Sequence, residues 1–249
     1  MQQGKIMPAS RIFQATPFQV NTVIVLDKPA SHHLMRVLRV NVGEKVTLFN
    51  GQGGEYHARI QHMDKHHVTA WVEAHIPHEV ESPLRLHLAQ GIARGEKMDY
   101  IIQKAVELGV HCITPLLTER CTVQLDATRR EKRLAHWRSI IVSACEQCGR
   151  NQLPNIAEPE QLTAWLASVQ TTMRFVLSPH VAETLPSHFP EAAKEALLLI
   201  GPEGGFSDAE MQRVYQYRFI PLNLGPRILR TETTSVAAIA VLQNRYGDM

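Results

Sequence analysis

The sequence predicts an α/β protein in two parts: a small N-terminal β-barrel, and a larger C-terminal domain with a parallel sheet flanked by helices. One observation is a series of short β-rich segments around a single amphipathic segment in about the first 75 residues. Another is the alternation of strand-like and helix-like segments from residue 84 onward. Residues 75–83 contain two prolines and no periodicity, which indicates a linker. We therefore predict a barrel over residues 1–76 and an α/β domain over residues 77–249.

The individual elements follow from local periodicity and from turn residues. In the barrel, we predict strands over residues 21–26, 45–49, 55–62 and 67–74, and a helix over residues 31–40. In the second domain, the predicted strands cover residues 84–90, 111–116, 174–177, 196–200 and 220–224. Its predicted helices cover residues 97–108, 129–148, 208–217 and 234–246.

Composition excludes several classes of protein. The sequence of 249 residues has no apolar run near the roughly 20 residues that a membrane span needs, and no signal-like start. Its four cysteines are too few for a disulfide scaffold, so we expect reduced thiols and a cytoplasmic protein. Cys145 and Cys148 adjoin an apolar helical stripe, which favours core packing over metal binding, and we expect no metal.

The charge is distributed unevenly along the chain. Residues 1–50 contain six Lys or Arg and two acidic residues, whereas residues 151–249 contain seven basic and ten acidic residues. This asymmetry fits a polyanion bound at one end and chemistry at the other, although uneven solvation of the surface explains it equally well.

A glycine-containing loop follows the apolar strand predicted over residues 196–200. It contains Gly201, Gly204 and Gly205 and leads into a helix with a capping box, in which Ser207 is the N-cap and Glu210 its partner. Glycines let a backbone approach a ligand closely. The loop is neither a P-loop nor a dinucleotide fingerprint, and taken alone it fits an ordinary strand-to-helix turn.

A second segment, over residues 224–233, changes this interpretation. Together with residues 201–205, it resembles the cofactor motifs of the RsmE family in the SPOUT superfamily of RNA methyltransferases. Residues 11–13 and 32–39 resemble the family's PUA-like RNA-binding barrel, and residues 97–110 and 146–150 resemble its central signatures. The resemblance covers nearly the whole chain.

The resemblance implies S-adenosylmethionine as the cofactor and a C-terminal trefoil knot, which is rare among folds. It also implies methylation of N3 of one uridine in small-subunit ribosomal RNA, and a homodimer with the final helix near its interface. Backbone groups of the two loops and their apolar neighbours would hold the cofactor. The predicted cofactor-binding residues are Leu177, Leu199, Ile200, Gly201, Pro202, Glu203, Gly204, Gly205, Leu222, Leu224, Gly225, Ile228, Leu229, Arg230, Thr231 and Thr233.

Three side chains are candidates for catalysis. N3 of uracil must lose its proton, and a fixed positive charge near O2 and O4 favours the anion, so Arg230 is our first candidate. Glu203 or Glu232 could accept the proton if burial raised its pKa, although a structural role is as good an explanation for each.

Basic residues outside the loops are candidates for RNA binding, where phosphate contacts position the chain and contacts to an unstacked base specify it. For any single one of them, a solvated surface position is an equally good explanation. The candidates are Arg11, His33, Arg36, Arg39, Lys104, Arg120 and Arg150.

Three alternative functions remain open. Knotted methyltransferases also modify ribose hydroxyls, and the form of the second loop favours the base instead. A non-catalytic RNA-binding protein would have no reason to keep both cofactor loops. A nicotinamide oxidoreductase is disfavoured because the dinucleotide fingerprint is missing.

Overall fold

A computed structural model describes residues 10–122, 126–178 and 192–249. The chain forms two compact units, one of Met1–Glu81 with Cys145–Leu153, the other of Ser82–Ala144 with Pro154–Met249. The first unit thus extends past the boundary predicted at residue 76 and takes in a short segment from the middle of the chain. The predicted α/β class is confirmed.

The first unit is built on a five-stranded sheet in the order β1-β3-β4-β5-β2. Its strands are β1 (Ser10–Phe13), β2 (Val23–Val25), β3 (Lys45–Phe49), β4 (Glu55–Met63) and β5 (Val68–Ile76). Strand β1, which we did not predict, pairs in parallel with β3, while the other pairs are antiparallel. It is too short for its alternation to stand out, and its pairing partner lies more than thirty residues away.

One helical segment lies between β2 and β3, and it differs from the prediction for residues 31–40. Helix α1 (Lys28–His32) begins at the N-cap Asp27, whose carboxylate accepts a hydrogen bond from the amide of Ala30. A π-helical segment (His33–Leu38) continues it and ends at Arg39, whose φ is 53°. The helix therefore starts earlier than predicted, and its second half has the wider π geometry.

The second unit contains a fully parallel sheet in the order β12-β10-β11-β6-β7-β8, with β9 also paired to β7. Strand β11 is buried from Ala196 to Ile200, as expected for a parallel strand covered on both faces. The strands are β6 (Arg85–Gly91), β7 (Cys112–Leu117), β8 (Asn155–Ile156), β9 (Glu160–Gln161), β10 (Arg174–Leu177), β11 (Glu195–Ile200) and β12 (Ile220–Leu222).

Five further helices complete the described chain, and α3 runs on into the first unit. They are α2 (Glu96–Glu107), α3 (Ala127–Cys148), α4 (Leu162–Ser168), α5 (Asp208–Gln216) and α6 (Thr231–Tyr246). In α2, the apolar residues recur at helical spacing and are buried, namely Met98, Ile101, Ile102, Ala105 and Val106. Among the described residues, no helix is long and apolar enough to cross a membrane.

Two boundaries near the predicted site differ from expectation. Helix α6 begins at Thr231 rather than at residue 234, because Arg230 is its N-cap. Strand β12 ends at Leu222, and Asn223 then accepts a hydrogen bond from the amide of Gly225, which closes a turn. The short β8, β9 and α4 were not predicted, because each has fewer residues than a periodicity requires.

Candidate functional site

A cavity of about 560 Å³ opens in the second unit at the carboxyl ends of β10, β11 and β12. This end of a parallel sheet is where open α/β folds bind their ligands, and the volume suits a small molecule. Two loops form most of its wall: the first loop (residues 201–206) follows β11, and the second loop (residues 223–230) follows β12. The floor is apolar and includes Leu177, Ile200, Phe206, Met211, Leu222 and Leu224.

The buried side chain of Gln90 ties the first loop to the start of α6. Its amide nitrogen lies 3.3 Å from the carbonyl oxygen of Gly201 and 3.2 Å from Oγ1 of Thr231. Its amide oxygen accepts a 2.7 Å hydrogen bond from Ser235, and Thr231 also donates to the Gly201 carbonyl. One side chain therefore fixes two segments of the cavity wall that are far apart in sequence.

Close backbone packing explains two of the glycines around the first loop. A Cβ atom on Gly91, the last residue of β6, would lie 2.5 Å from Cδ of Pro202. A Cβ on Gly201 would lie 3.1 Å from Cα of Gly205, which has a φ of +65°. The loop is thus folded tightly against β6 and against itself, and a larger residue at position 91 would displace it.

Residues that follow β7 hold the outer side of the first loop. The guanidinium of Arg120 donates a hydrogen bond to the carbonyl oxygen of Gly204. The buried carboxylate of Glu210 accepts one from the amide of Glu119 while it completes the predicted capping box with Ser207. That capping box is confirmed. The first loop is therefore held from both sides.

The second loop is much more exposed. Ile228 is 87% exposed although it lines the cavity, and Arg227 and Arg230 are exposed beside it. Gly225 has a φ of +101°, in the left-handed region that glycine adopts without strain. An apolar side chain and two guanidinium groups therefore stand at the mouth of the cavity.

A charged cluster lies where the first loop approaches α6. Nζ of Lys97 on α2 is 3.2 Å from Oε1 of Glu203 and 4.0 Å from Oε2 of Glu232. Glu203 also accepts a hydrogen bond from the amide of Arg94. Oε2 of Glu232 is buried and has no hydrogen-bond partner among the described residues.

The pKa of Glu203 lies below its usual value. Partial burial opposes ionisation, but hydrogen bonds from its own amide and from that of Arg94, with the ammonium of Lys97, outweigh it. The condition that we set for Glu203 as a proton acceptor, a raised pKa, is therefore not met.

Most of the predicted cofactor-binding residues line the cavity. Three do not: Leu199 is fully buried in the core beneath it, Gly225 lies within the turn, and Thr233 faces a separate groove between α2 and α6. The predicted residues in the lining are Leu177, Ile200, Gly201, Pro202, Glu203, Gly204, Gly205, Leu222, Leu224, Ile228, Leu229, Arg230 and Thr231.

Sequence reasoning missed Gln90 and Lys97 as site residues, as well as Ser178, Phe206, Met211, Asn223, Arg227 and Thr234 in the lining. A polar residue at the end of an otherwise apolar strand was the available signal for Gln90. No local signal marked Lys97, because its partners come from other parts of the chain.

Two of the predicted RNA-binding arginines have structural roles in the first unit. Arg150 is only 3% exposed and donates from Nε to both carboxylate oxygens of Glu81, at 3.1 and 3.0 Å. Arg11 pairs with Glu55 and donates to Oδ1 of Asn151 at 2.6 Å. Both guanidinium groups are engaged within the fold, which leaves their prediction as RNA contacts without further support.

The other predicted RNA contacts differ in their surroundings. Arg36 lies on the π-helical segment and Arg39 directly after it, and both are exposed, whereas His33, its first residue, is half-buried. Lys104 is paired with both carboxylate oxygens of Glu107 at 2.8 Å. Arg120 lines the cavity, so it stands beside the expected chemistry rather than along a distant path.

The cysteines do not form a metal centre in the part of the chain that the structure describes. That part contains no cluster of three or more metal-ligating side chains. Cys145 is fully buried, and burial raises the pKa of its thiol to about 12. It is therefore an unreactive core residue at ordinary pH.

Comparison with known proteins identifies the family. A family model described as RNA methyltransferase domain matches residues 80–243, and one described as RNA methyltransferase PUA domain matches residues 26–72. The ribosomal RNA small subunit methyltransferase E of Buchnera aphidicola subsp. Schizaphis graminum is 40% identical, over 96% of this chain and 97% of its own.

Two solved structures are similar over nearly their whole length. A Legionella pneumophila protein in complex with the bound cofactor SAM gives a TM-score of 0.95 at 41% identity, over 98% of this chain and 100% of its own. A ribosomal RNA small subunit methyltransferase E from Neisseria gonorrhoeae, bound to S-adenosyl methionine, gives 0.90 at 35% identity, over 97% and 100%. The family and the SPOUT fold predicted from the sequence are thereby confirmed, and the chain belongs to the ribosomal RNA small subunit methyltransferase E family.

Proposed function

We propose that this protein transfers the methyl group of S-adenosylmethionine to N3 of one uridine in small-subunit ribosomal RNA. The observation that carries the proposal is the cavity built by the two loops at the carboxyl ends of the parallel strands. Family membership makes the chain an S-adenosylmethionine-dependent RNA methyltransferase. The choice of uridine N3 comes from the resemblance to the RsmE family, and the N-terminal barrel and the form of the second loop favour a base over a ribose hydroxyl.

The residues of the cavity fit this cofactor. The apolar floor suits a purine ring, and the folded first loop offers backbone groups where side chains would obstruct a ligand. Arg120 and Arg227 provide positive charge for a carboxylate. When bound, the cofactor supplies an electrophilic methyl group.

Arg230 is positioned to favour the uracil anion. It is the N-cap of α6, which fixes its backbone, and its exposed side chain stands at the mouth of the cavity. A guanidinium beside O2 or O4 of uracil stabilises the charge that develops when N3 loses its proton. Its position at the mouth allows contact with RNA as well as with the cofactor.

Of the two glutamates, Glu232 is the better candidate for the proton acceptor, and it lines the groove between α2 and α6 rather than the cavity, so the base would have to reach that side of α6. Glu203 is already hydrogen-bonded and has a lowered pKa, which makes it a weak base. Oε2 of Glu232 has no hydrogen-bond partner among the described residues, so a donor such as water or a base N–H would satisfy it. We therefore assign Glu203 a structural role and retain Glu232 as the candidate base.

RNA would reach the cavity from the side on which the positively charged side chains of the cavity lie. Arg120, Arg227 and Arg230 surround the mouth, and in the first unit Arg36 and Arg39 offer exposed charge for phosphate contacts. Lys104 and His33 remain candidates with weaker support, because the first is paired and the second is half-buried.

We further propose that the protein acts in the cytoplasm as a homodimer with two-fold symmetry. Among the apolar residues of α6, Ile239 and Leu242 are buried within the chain. Val236 and Ala240 instead line the open groove between α2 and α6. An interface on this face would therefore use the groove.

Calorimetric titration with S-adenosylmethionine tests the site. We expect micromolar binding that is lost in Gly204→Trp, because a Cβ there already lies 3.1 Å from Cβ of Arg120 and an indole would intrude on the cavity. Gln212→Trp, on an exposed part of α5 outside the lining, should bind normally. No binding to the unmodified protein, with or without RNA, would rule out the methyltransferase.

Arg230→Ala separates binding from chemistry. We expect its affinity for the cofactor to change less than about threefold, and methylation of small-subunit RNA to slow by roughly a hundredfold. Nucleoside mass spectrometry of the product locates the methyl group. A methyl group on the ribose 2′-oxygen would favour the alternative function.

A further inference from the structure

Lys97 belongs to neither loop, but its ammonium lies close to the first loop and to α6, the helix that follows the second loop. It lies in the first turn of α2, and its ammonium faces the carboxylate of Glu203 on the first loop and that of Glu232 on α6. It also lines both the cavity and the groove between α2 and α6. It therefore stands in the wall that separates the two.

The three side chains are partly shielded from solvent. They are 38% exposed for Lys97, 29% for Glu203 and 18% for Glu232, so screening by water is reduced compared with a surface pair. With Lys97 present, two negative charges share one positive charge. Without it, two carboxylates would face each other with no ammonium between them, a like-charge pair that opposes close approach.

Other charged and titratable groups surround this cluster. On α2 itself, Glu96 and Tyr100 line the groove beside Lys97. Across the cavity, the guanidinium groups come from Arg120, Arg227 and Arg230. Among the described residues, Lys97 is the one whose charged atom lies within 4.0 Å of both carboxylates.

We propose that Lys97 is a positioning residue for methyl transfer, whose ammonium binds the carboxylates of Glu203 and Glu232 and so fixes the first loop against the start of α6. Because Arg230 is the N-cap of α6, this contact sets where its guanidinium stands relative to the cavity. The inference rests on the proposed function and adds to it a residue outside the cofactor loops.

The first loop is also held by hydrogen bonds that do not involve Lys97. The binding of the cofactor can therefore be separated from the positioning of Arg230. Gln90 and Thr231 bind the carbonyl of Gly201 without using Lys97. Removing the ammonium should therefore affect the rate of the reaction more than the affinity for the cofactor.

Lys97→Met tests this, because methionine keeps most of the aliphatic stem and removes the charge. We expect kcat at saturating S-adenosylmethionine to fall about tenfold at pH 8, with cofactor affinity changed less than threefold. Lys97→Arg should recover most of the rate. Lys194→Met, next to the opposite end of β11, is the matched control and should resemble the unmodified protein.

The double variant Lys97→Met, Glu203→Gln distinguishes charge from packing. Removing one carboxylate relieves the repulsion, so we expect it to be faster than Lys97→Met alone. Additive losses in the double variant would overturn the proposal.

Hydrogen exchange gives a readout that does not need activity. In Lys97→Met, amides of residues 203–206 and 231–235 should exchange faster, and the double variant should restore their protection. Unchanged exchange in both segments would overturn the role of Lys97 even if the protein proved inactive on RNA. Inactivity of the unmodified protein would count against the proposed function alone.

Discussion

The two loops that form the cavity differ in how the fold holds them. The first loop is bound by Gln90 and Thr231 on one side and by Arg120 on the other. The second loop begins with one tight turn, after which its side chains are mostly exposed, up to 87% for Ile228. The same cavity thus has one wall built into the core and one that faces solvent.

This difference suggests a division of labour. A wall that is fixed by buried hydrogen bonds is preorganised, which lowers the cost of binding a small molecule. An exposed wall with two guanidinium groups and an apolar side chain is suited to a large polyanion that must arrive from solvent. We infer that the first loop mainly serves the cofactor and that the second serves the RNA.

Breaking the support of the first loop should have the largest effect on cofactor binding. In Gln90→Leu, the Gly201 carbonyl keeps Thr231 as a donor and the Ser235 hydroxyl keeps the Thr231 carbonyl as an acceptor, but all the buried hydrogen bonds of the Gln90 side-chain amide are lost. We expect a destabilisation of about 2–3 kcal/mol in chemical unfolding. Affinity for S-adenosylmethionine should fall about tenfold or more by calorimetry.

Gln103→Leu is the control, because this glutamine is exposed on α2. We expect the substitution to change neither the free energy of unfolding nor the cofactor affinity. Unaltered cofactor affinity in Gln90→Leu would show that the first loop holds its shape without the buried network.

Truncating apolar side chains on the two walls sharpens the comparison. Leu222 is fully buried at the end of β12, so Leu222→Ala should cost about 2–5 kcal/mol of stability. Ile228→Ala should cost less than about 0.5 kcal/mol, because that side chain is 87% exposed. It should lower kcat/KM for RNA more than it lowers cofactor affinity.

If Ile228→Ala weakened the binding of the cofactor and the binding of RNA equally, the second loop would contribute to the cofactor site as much as the first loop does. Analytical ultracentrifugation of Leu222→Ala and Ile228→Ala would measure their oligomeric state. A change in Ile228→Ala alone is expected if a partner subunit covers Ile228.

The smallest effect concerns acid stability. Since the folded state lowers the pKa of Glu203, this carboxylate stabilises the fold above the pKa that it has in the unfolded chain. That contribution disappears as the pH falls through the folded-state pKa. Glu203→Gln should therefore reduce the free energy of unfolding at pH 7, and the two proteins should converge once the pH lies below the folded-state pKa of Glu203. A difference that is constant over this range would contradict the ionised role.

The sequence was sufficient to predict the fold class, the family and most of the lining. Parallel strands that are buried on both faces leave continuous apolar runs, and the loops after them carried glycines and a capping box that can be read locally. The cofactor loops are contiguous segments, so a resemblance over ten residues locates many contacts at once.

Contacts between distant segments were beyond the reach of local patterns. Arg11 and Arg150 looked like RNA ligands because a charge in a sequence does not reveal its partner. Gln90 and Lys97 were missed for the same reason, since what defines them is the approach of loops more than a hundred residues away. The position of Ile228 at the cavity was predicted, but its exposure was not.

The reach of Gln90 along the chain has a consequence for folding. Its partners lie 111, 141 and 145 residues further on, at Gly201, Thr231 and Ser235. The bonds to Thr231 and Ser235 need α6, and β6 itself pairs with β11, so the cavity wall forms only when these distant segments have folded together. A chain that lacks α6 should therefore bind no cofactor and leave RNA unmethylated.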